Sequence, residues 1–193
     1  MLLAGGASSR LGKPKQLLPF RGSTLLDHAI GIAKNAGASN LVLVLGADAE
    51  NIAASIKDGQ LPIVMNNDWP EGMASSIRKG VEELLRTDSS LEGVLIMACD
   101  QPHLSSEHLV SLVDHAGISN KLIAASRYGE TLGIPAFFRK ELLSKLCALQ
   151  GDSGAKNLML ENQEQVAAVK FPAGEIDIDT EADYEILLHK NEG

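Results

Sequence analysis

Aromatic side chains are scarce in this chain. One tryptophan, two tyrosines and four phenylalanines in 193 residues leave aliphatic side chains to fill a core and provide no series of stacking rings for a single-stranded nucleic acid. Cysteine is scarcer still. Cys99 and Cys147 make neither a disulfide framework nor a closely spaced zinc pair, so a reducing, cytoplasmic setting is expected. Basic residues number 17 against 25 acidic ones, a net charge of −8. That balance excludes the broad positive surface needed for non-specific nucleic-acid binding. No apolar run approaches the ~20 residues that span a bilayer, and no charged-then-apolar signal segment opens the chain. Among the five histidines, only His108 and His115 share a helix, where they are expected to be solvated. No Ser/His/Asp or Cys/His constellation is required by the pattern.

What is present is 45% apolar residues, enough for the core of one domain spanning residues 1–193. Short apolar runs alternate with helical periodicity. Leu2–Ala4, Leu41–Leu45, Pro62–Met65, Gly93–Ala98, Leu122–Ser126, Ile134–Phe138 and Val166–Phe171 read as strands. The sixth contains Pro135 and is expected at a sheet edge. Helices are predicted from Leu25 to Ala36, Asp48 to Lys57, Met73 to Leu84, Ser105 to Ala116, Arg139 to Leu149 and Ser153 to Glu161. A last one runs to Leu188 behind a Thr180/Asp183 capping box. Alternating β and α elements with near-continuous apolar strands predict a three-layer α/β/α sandwich on a mostly parallel sheet. Ligands of such sheets bind at the carboxyl ends of the strands. Gly5-Gly6, Gly46, Asn66-Asn67 and Asp100 are therefore expected on one rim.

The opening, Leu2-Leu3-Ala4-Gly5-Gly6-Ala7-Ser8-Ser9-Arg10-Leu11-Gly12-Lys13-Pro14-Lys15, reverses the charge of the chain. Arg10, Lys13, Lys15 and Arg21 precede the first acidic residue, Asp27. Glycines without a Cβ let the backbone come close to a ligand, and a polyphosphate fits the local charge. The loop is neither a P-loop, since Pro14 stands where a hydroxyl is needed, nor a Gly-x-Gly-x-x-Gly dinucleotide fingerprint. Asp100, directly after an apolar strand, suits Mg²⁺ on the same rim or, alternatively, a turn cap. Asn66 to Arg78 holds the single tryptophan and Ser75-Ser76, which either cap a helix or bind a base edge or phosphate. Gly151-Asp152-Ser153-Gly154 is a cap or a substrate loop. Asp177 and Asp179 leave two readings open: a second metal contact, or the approach to the final helix.

Together these residues resemble the nucleotidyltransferases that attach a nucleotide to the molybdenum cofactor, within the Rossmann-like nucleotide-diphospho-sugar transferase group. Leu3 to Gly12, Lys15 and Leu17-Leu18-Pro19 match the opening signature. Asn66 to Val81, Asp100-Gln101-Pro102, Gly133 to Phe138, Gly151 to Ala155 and Asp177 to Asp183 resemble blocks of the cytidylyltransferase branch. Ala4-Gly5-Gly6 instead has the form of the guanylyltransferase branch, where the cytidylyl form is Ala-Ala-Gly. The few residues before the loop lead us to expect a native start upstream of Met1.

The resemblance implies that Ala4, Gly5, Gly6, Ser8 and Arg10 hold base and phosphates, and that Asn66, Met73, Ser75 and Ser76 contact base and ribose. Lys15 would neutralise the α-phosphate, with Arg10 and Asp100 as its catalytic companions. Mg²⁺ would sit on Asp100, with Asp179 as its second contact. Gly133, Pro135, Asp152 and Gly154 would line the pterin substrate. The implied reaction is transfer of CMP from CTP to the phosphate of molybdopterin, with hand-over to a recipient molybdoenzyme following. GTP as donor, a sugar phosphate or methylerythritol phosphate as acceptor, and a non-catalytic cofactor carrier are the alternatives.

Overall fold

Alternate residues of the strands supply two apolar faces, and helices cover both. The structure, a computed structural model, describes residues 1–152 and 154–191. β1 (Leu2–Ala4) is followed by a small hairpin of β2 (Pro19–Phe20) and β3 (Ser23–Thr24). α1 (Leu25–Asn35) starts where Thr24 Oγ1 accepts from Asp27 N at 3.0 Å, a local cap that satisfies an otherwise unpaired helix amide. Then come β4 (Leu43–Leu45), α2 (Ala49–Ser55), β5 (Ile63–Met65), α3 (Met73–Thr87) and β6 (Gly93–Ala98). The second half contains α4 (Ser106–Ser119), β7 (Ile123–Tyr128), β8 (Thr131–Arg139), α5 (Leu143–Cys147), α6 (Lys156–Glu161), β9 (Val166–Lys170) and α7 (Glu181–Asn191).

Seven strands form one sheet in the order β5-β4-β1-β6-β8-β7-β9. Every pairing is parallel except those of β8, which runs antiparallel to β6 and β7. Successive side chains point to opposite faces. Leu2, Leu43 and Leu45 pack with Leu26, Ile30 and Leu109 of α1 and α4. Leu3 and Val44 pack with Ile77, Val81 and Leu146 of α3 and α5. The expected three-layer, mostly parallel sandwich is the observed one. Among the described residues no helix is long and apolar enough to cross a membrane.

Several expectations need correction. Pro135 does not mark an edge strand, because β8 has partners on both sides. Its missing N–H is tolerated where the β7–β8 register shifts: Ala125 faces Ala136, but Ser126 faces Gly133. Ile134 and Pro135 bulge out of the ladder, and Ser126 Oγ donates to Pro135 O at 2.6 Å. As expected from their succession in the sequence, β7 and β8 join without an intervening helix. The helix expected over Arg139–Leu149 is a 3-10 turn, Lys140–Leu142, followed by the short α5. The helix expected from Ser153 begins at Lys156, and Ser153 itself lies outside the described residues. The capping box holds: Thr180 N donates to Asp183 Oδ2 at 2.8 Å, and Asp183 N to Thr180 Oγ1 at 3.2 Å.

His108 is also not simply solvated. Its ring stacks on Phe171 at 4.5 Å between centroids and meets Ser126 Oγ at 2.8 Å. Burial holds its pKa below the ordinary value. His115, in contrast, is exposed.

Candidate active site

The loop after β1 crosses the carboxyl end of the sheet and is tied down at several points. Leu11 inserts into a small core with Leu18, Ile178 and Tyr184. Ser8 O accepts from Leu11 N and Gly12 N at 2.9 and 3.2 Å, while Ser8 Oγ accepts from Lys15 N at 3.1 Å. Ala47 N donates to Gly5 O at 3.1 Å. The loops after β1 and β4 approach so closely that a Cβ at position 46 would lie 2.6 Å from Gly5 O and 2.7 Å from Trp69 Cβ. Only glycine fits there.

Lys15 connects this loop to the carboxylates on the opposite wall. Its Nζ lies 2.8 Å from Asp100 Oδ2, just past β6, and 2.9 Å from Asp179 Oδ1, just before α7. Burial works against the ammonium, but the field of Asp100 and the bonds to Asp100 and Asp179 outweigh it and raise the Lys15 pKa. The bond from Lys15, ahead of the weaker pull of Arg10, lowers that of Asp179. Arg10 Nη2 reaches Asp179 Oδ2 at 2.7 Å from a mostly exposed position. The C-terminal segment is held in place because Ile178 is fully buried and its N–H donates to Asp100 O at 3.1 Å. Asp177 flanks the pair. Surrounding protein, then the charges of Asp100 and Asp179, push its carboxyl up to about 6. Burial, and then the charge of Asp100, push the Cys99 thiol up to about 12, which disfavours the thiolate.

A third wall comes from the start of α3. Asn66 is buried and donates to Ser75 Oγ at 2.8 Å and Ser76 Oγ at 2.9 Å, while Ser75 Oγ donates to Gly72 O at 2.8 Å. This network fixes the segment that carries Trp69 and Met73, both exposed at the mouth of the site. The loop after α5 closes over it: Ala74 N donates to Gly151 O at 3.1 Å, Asp152 abuts Gly72, and Gly154 abuts Met73.

These walls enclose a cleft of about 370 Å³ lined by Ala4, Gly5, Gly6, Lys15, Trp69, Met73, Ser76, Asp100 and Asp152, among others. Ser8, Arg10, Asn66, Ser75 and Asp179 stand behind or beside it rather than on its lining. Gly133 and Pro135 lie apart in β8, where the Tyr128 hydroxyl fills the space beside Gly133 and Pro135 is buried. Asp152 and Gly154 share the Met73 side of the cleft.

Among the described residues no three His, Cys, Asp or Glu side chains converge as metal ligands. The pair Asp100 and Asp179 nevertheless fits a hard cation, because one ammonium nitrogen already touches an oxygen of each. Mg²⁺ typically takes only one or two carboxylates and completes its shell with water and substrate phosphate.

Sequence reasoning missed Gln16. Its side chain is 1% exposed, and Nε2 donates to Ala4 O at 2.7 Å and Gly6 O at 3.3 Å. The hint available beforehand was a lone amide between Lys15 and the apolar Leu17-Leu18.

Known proteins align with this architecture. Over 106 residues the chain is 41% identical to nicotine blue oxidoreductase of Paenarthrobacter nicotinovorans, a match spanning 54% of this chain and only half of that protein. It is 26% identical to a probable molybdenum cofactor guanylyltransferase of Bacillus mycoides (strain KBAB4), over 100% of this chain and 91% of that one. The crystal structure of Rv0371C in complex with manganese, from Mycobacterium tuberculosis H37Rv, superimposes with a TM-score of 0.78. The two are 31% identical, over 97% of this chain and 96% of that one. Residues 1–166 match the MobA-like NTP transferase domain, and the chain belongs to that family of nucleotidyltransferases.

Proposed function

We propose that this chain transfers CMP from CTP to the terminal phosphate of a molybdopterin-type cofactor, releasing pyrophosphate, with Mg²⁺ as its metal. The observation that carries this reading is Lys15, whose ammonium joins the glycine loop to Asp100 on the cleft lining and to Asp179 beside it. A phosphate acceptor is ionised near neutral pH, since its second pKa is about 6, so no general base is needed. An acceptor oxygen bonds to the α-phosphorus while the bond to the β-phosphate oxygen breaks and pyrophosphate leaves. Alignment and charge neutralisation are what the side chains must supply.

Asp100 and Asp179 would hold the cation. The cation supplies Lewis-acid neutralisation of phosphate charge when bound, and the manganese complex of the related Rv0371C supports a divalent ion. Lys15, on the cleft lining beside both carboxylates, would direct its ammonium at the α-phosphate and neutralise its charge. Arg10, exposed and on a short tether to Asp179, would reach the β- and γ-phosphates. Asp152 and Met73 would border the ring systems of the substrates.

A second reading, GTP as donor, is favoured by Gly5. A Cβ there would lie 3.1 Å from Ser76 Oγ and 3.4 Å from Gly46 N, so the site is shaped around the glycine typical of the guanylyl form, and a similar protein carries the guanylyltransferase name. Calorimetry with CTP and GTP in Mg²⁺ separates the two. Tighter binding of CTP is expected, tighter binding of GTP establishes the second reading, and binding of neither refutes both.

A further inference from the structure

We infer that Gln16 is a positioning residue for the triphosphate, acting through the backbone of the glycine loop. This rests on the nucleotide-binding reading above. The Gln16 side chain reaches from the 3-10 turn Lys15–Leu17 under the loop and spans Gly5, with its Nε2 bonded to the carbonyls on either side. The amide orientation is unambiguous, because both neighbours of the nitrogen are carbonyl oxygens and the reverse placement would set oxygen against oxygen. Oε1 is buried and has no partner among the described residues.

In a trans peptide the C=O and N–H point in opposite directions. Bonds to Ala4 O and Gly6 O therefore turn the N–H groups of Gly5 and Ala7 away from Gln16. For Gly5 the direction is defined further. Leu3 O accepts from Cys99 N on the β6 side, and successive carbonyls of an extended chain alternate. Ala4 O thus faces the other way, and the Gly5 N–H faces the β6 side, where Cys99 and Asp100 line the cleft. Glycine peptides have the freedom to turn over. A buried side-chain donor gripping two carbonyls removes that freedom before the ligand arrives, and donors oriented in advance are what phosphate charge requires. The same turn carries Lys15, and Ser8 Oγ ties it to the loop a second time. Gln16 thereby couples the loop amides to the lysine that works beside them.

The test compares wild type with Gln16→Met and Gln16→Glu. Methionine has similar length and volume but no donor, and because Oε1 has no partner its removal costs no hydrogen bond. Binding of CTP and GTP in Mg²⁺, and of the parent nucleosides cytidine and guanosine, is read from the fluorescence of Trp69, the single tryptophan, on the cleft wall. Thermal melts accompany each titration. For the triphosphate that wild type binds, Gln16→Met is expected to weaken affinity at least 10-fold while nucleoside affinity changes less than about 3-fold. Gln16→Glu, which sets carboxyl oxygens against the same two carbonyl oxygens, is expected to weaken it further than Gln16→Met. Equal weakening of triphosphate and nucleoside, which a merely structural role would give, overturns the inference, as does an unchanged triphosphate affinity. If neither variant folds, hydrogen exchange on wild type decides: protection of the Gly5 and Ala7 amides by triphosphate but not by nucleoside is expected, and equal or no protection overturns the inference. Wild type that binds neither triphosphate overturns the nucleotide reading itself.

Discussion

Lys15 is the residue on which both halves of the site converge, and its neighbours define what its loss does. Lys15→Ala and Asp100→Ala should each lower turnover about 100-fold or more, the scale of losing one donor aimed at developing charge. Steady-state kinetics of pyrophosphate release measures this, and near-normal turnover in either variant removes that residue from the mechanism. Arg10 is different. Its guanidinium stands largely in solvent and pairs with Asp179 at the surface. Arg10→Ala should raise KM for the nucleotide several-fold with a smaller change in kcat, and unchanged nucleotide affinity refutes its phosphate role. Lys15 and Asp100 were legible from the chain because a basic loop in an acidic protein and a carboxylate after an apolar strand are local signals. Gln16 was not. A glutamine has no charge or periodicity to betray it, and its use depends on a turn that tucks it beneath a loop ten residues away.

At the scale of elements, α3 and β8 decide how firmly the cleft is supported. Ile77 is fully buried between α3 and the sheet. Ile77→Ala should cost about 2–5 kcal/mol by transfer and cavity terms, measurable by urea unfolding; a loss below 1 kcal/mol would mean that the helix does not brace the sheet. α4 carries a pH signature. Burial lowers the folded-state pKa of His108 below the ordinary 6.5, so the unfolded chain binds the proton more readily. The stability contributed by neutral His108 is present above about 6.5 and is lost as pH falls below it. Melting temperatures between pH 5 and 7.5 should fall toward acid, with a shallower slope in His108→Gln, which keeps a partner for Ser126. Identical slopes refute this account of His108. Most strands and helices were legible because apolar runs and the Thr180/Asp183 capping box are local, whereas the Thr24 cap of α1 emerged only with the structure. The place of β8 was not, since a proline in a strand ordinarily means an edge. Here a two-residue bulge, closed by the Ser126 hydroxyl, lets Pro135 sit in an interior strand.

For the whole molecule, the order of the sheet is what makes one site from distant segments. β1 lies between β4 and β6, so their carboxyl ends bring Gly5, Gly46 and Asp100 to one rim, and β5 beyond β4 adds the Asn66 segment. That rim followed from the alternating pattern alone. For the C-terminal segment the residues alone left two readings of Asp179 open, and the resemblance pointed to the metal contact. Its pairing with Lys15 across 164 positions of sequence, held by the burial of Ile178, came only with the fold. The direct measurement of this account is pyrophosphate release by wild type and Asp100→Ala, incubated with Mg²⁺, molybdopterin and either CTP or GTP. We expect release by wild type that requires both nucleotide and molybdopterin, is faster with CTP, and drops about 100-fold in Asp100→Ala. Release by wild type that is indifferent to molybdopterin, or equal release by the variant, would refute nucleotidyl transfer to this acceptor at this site.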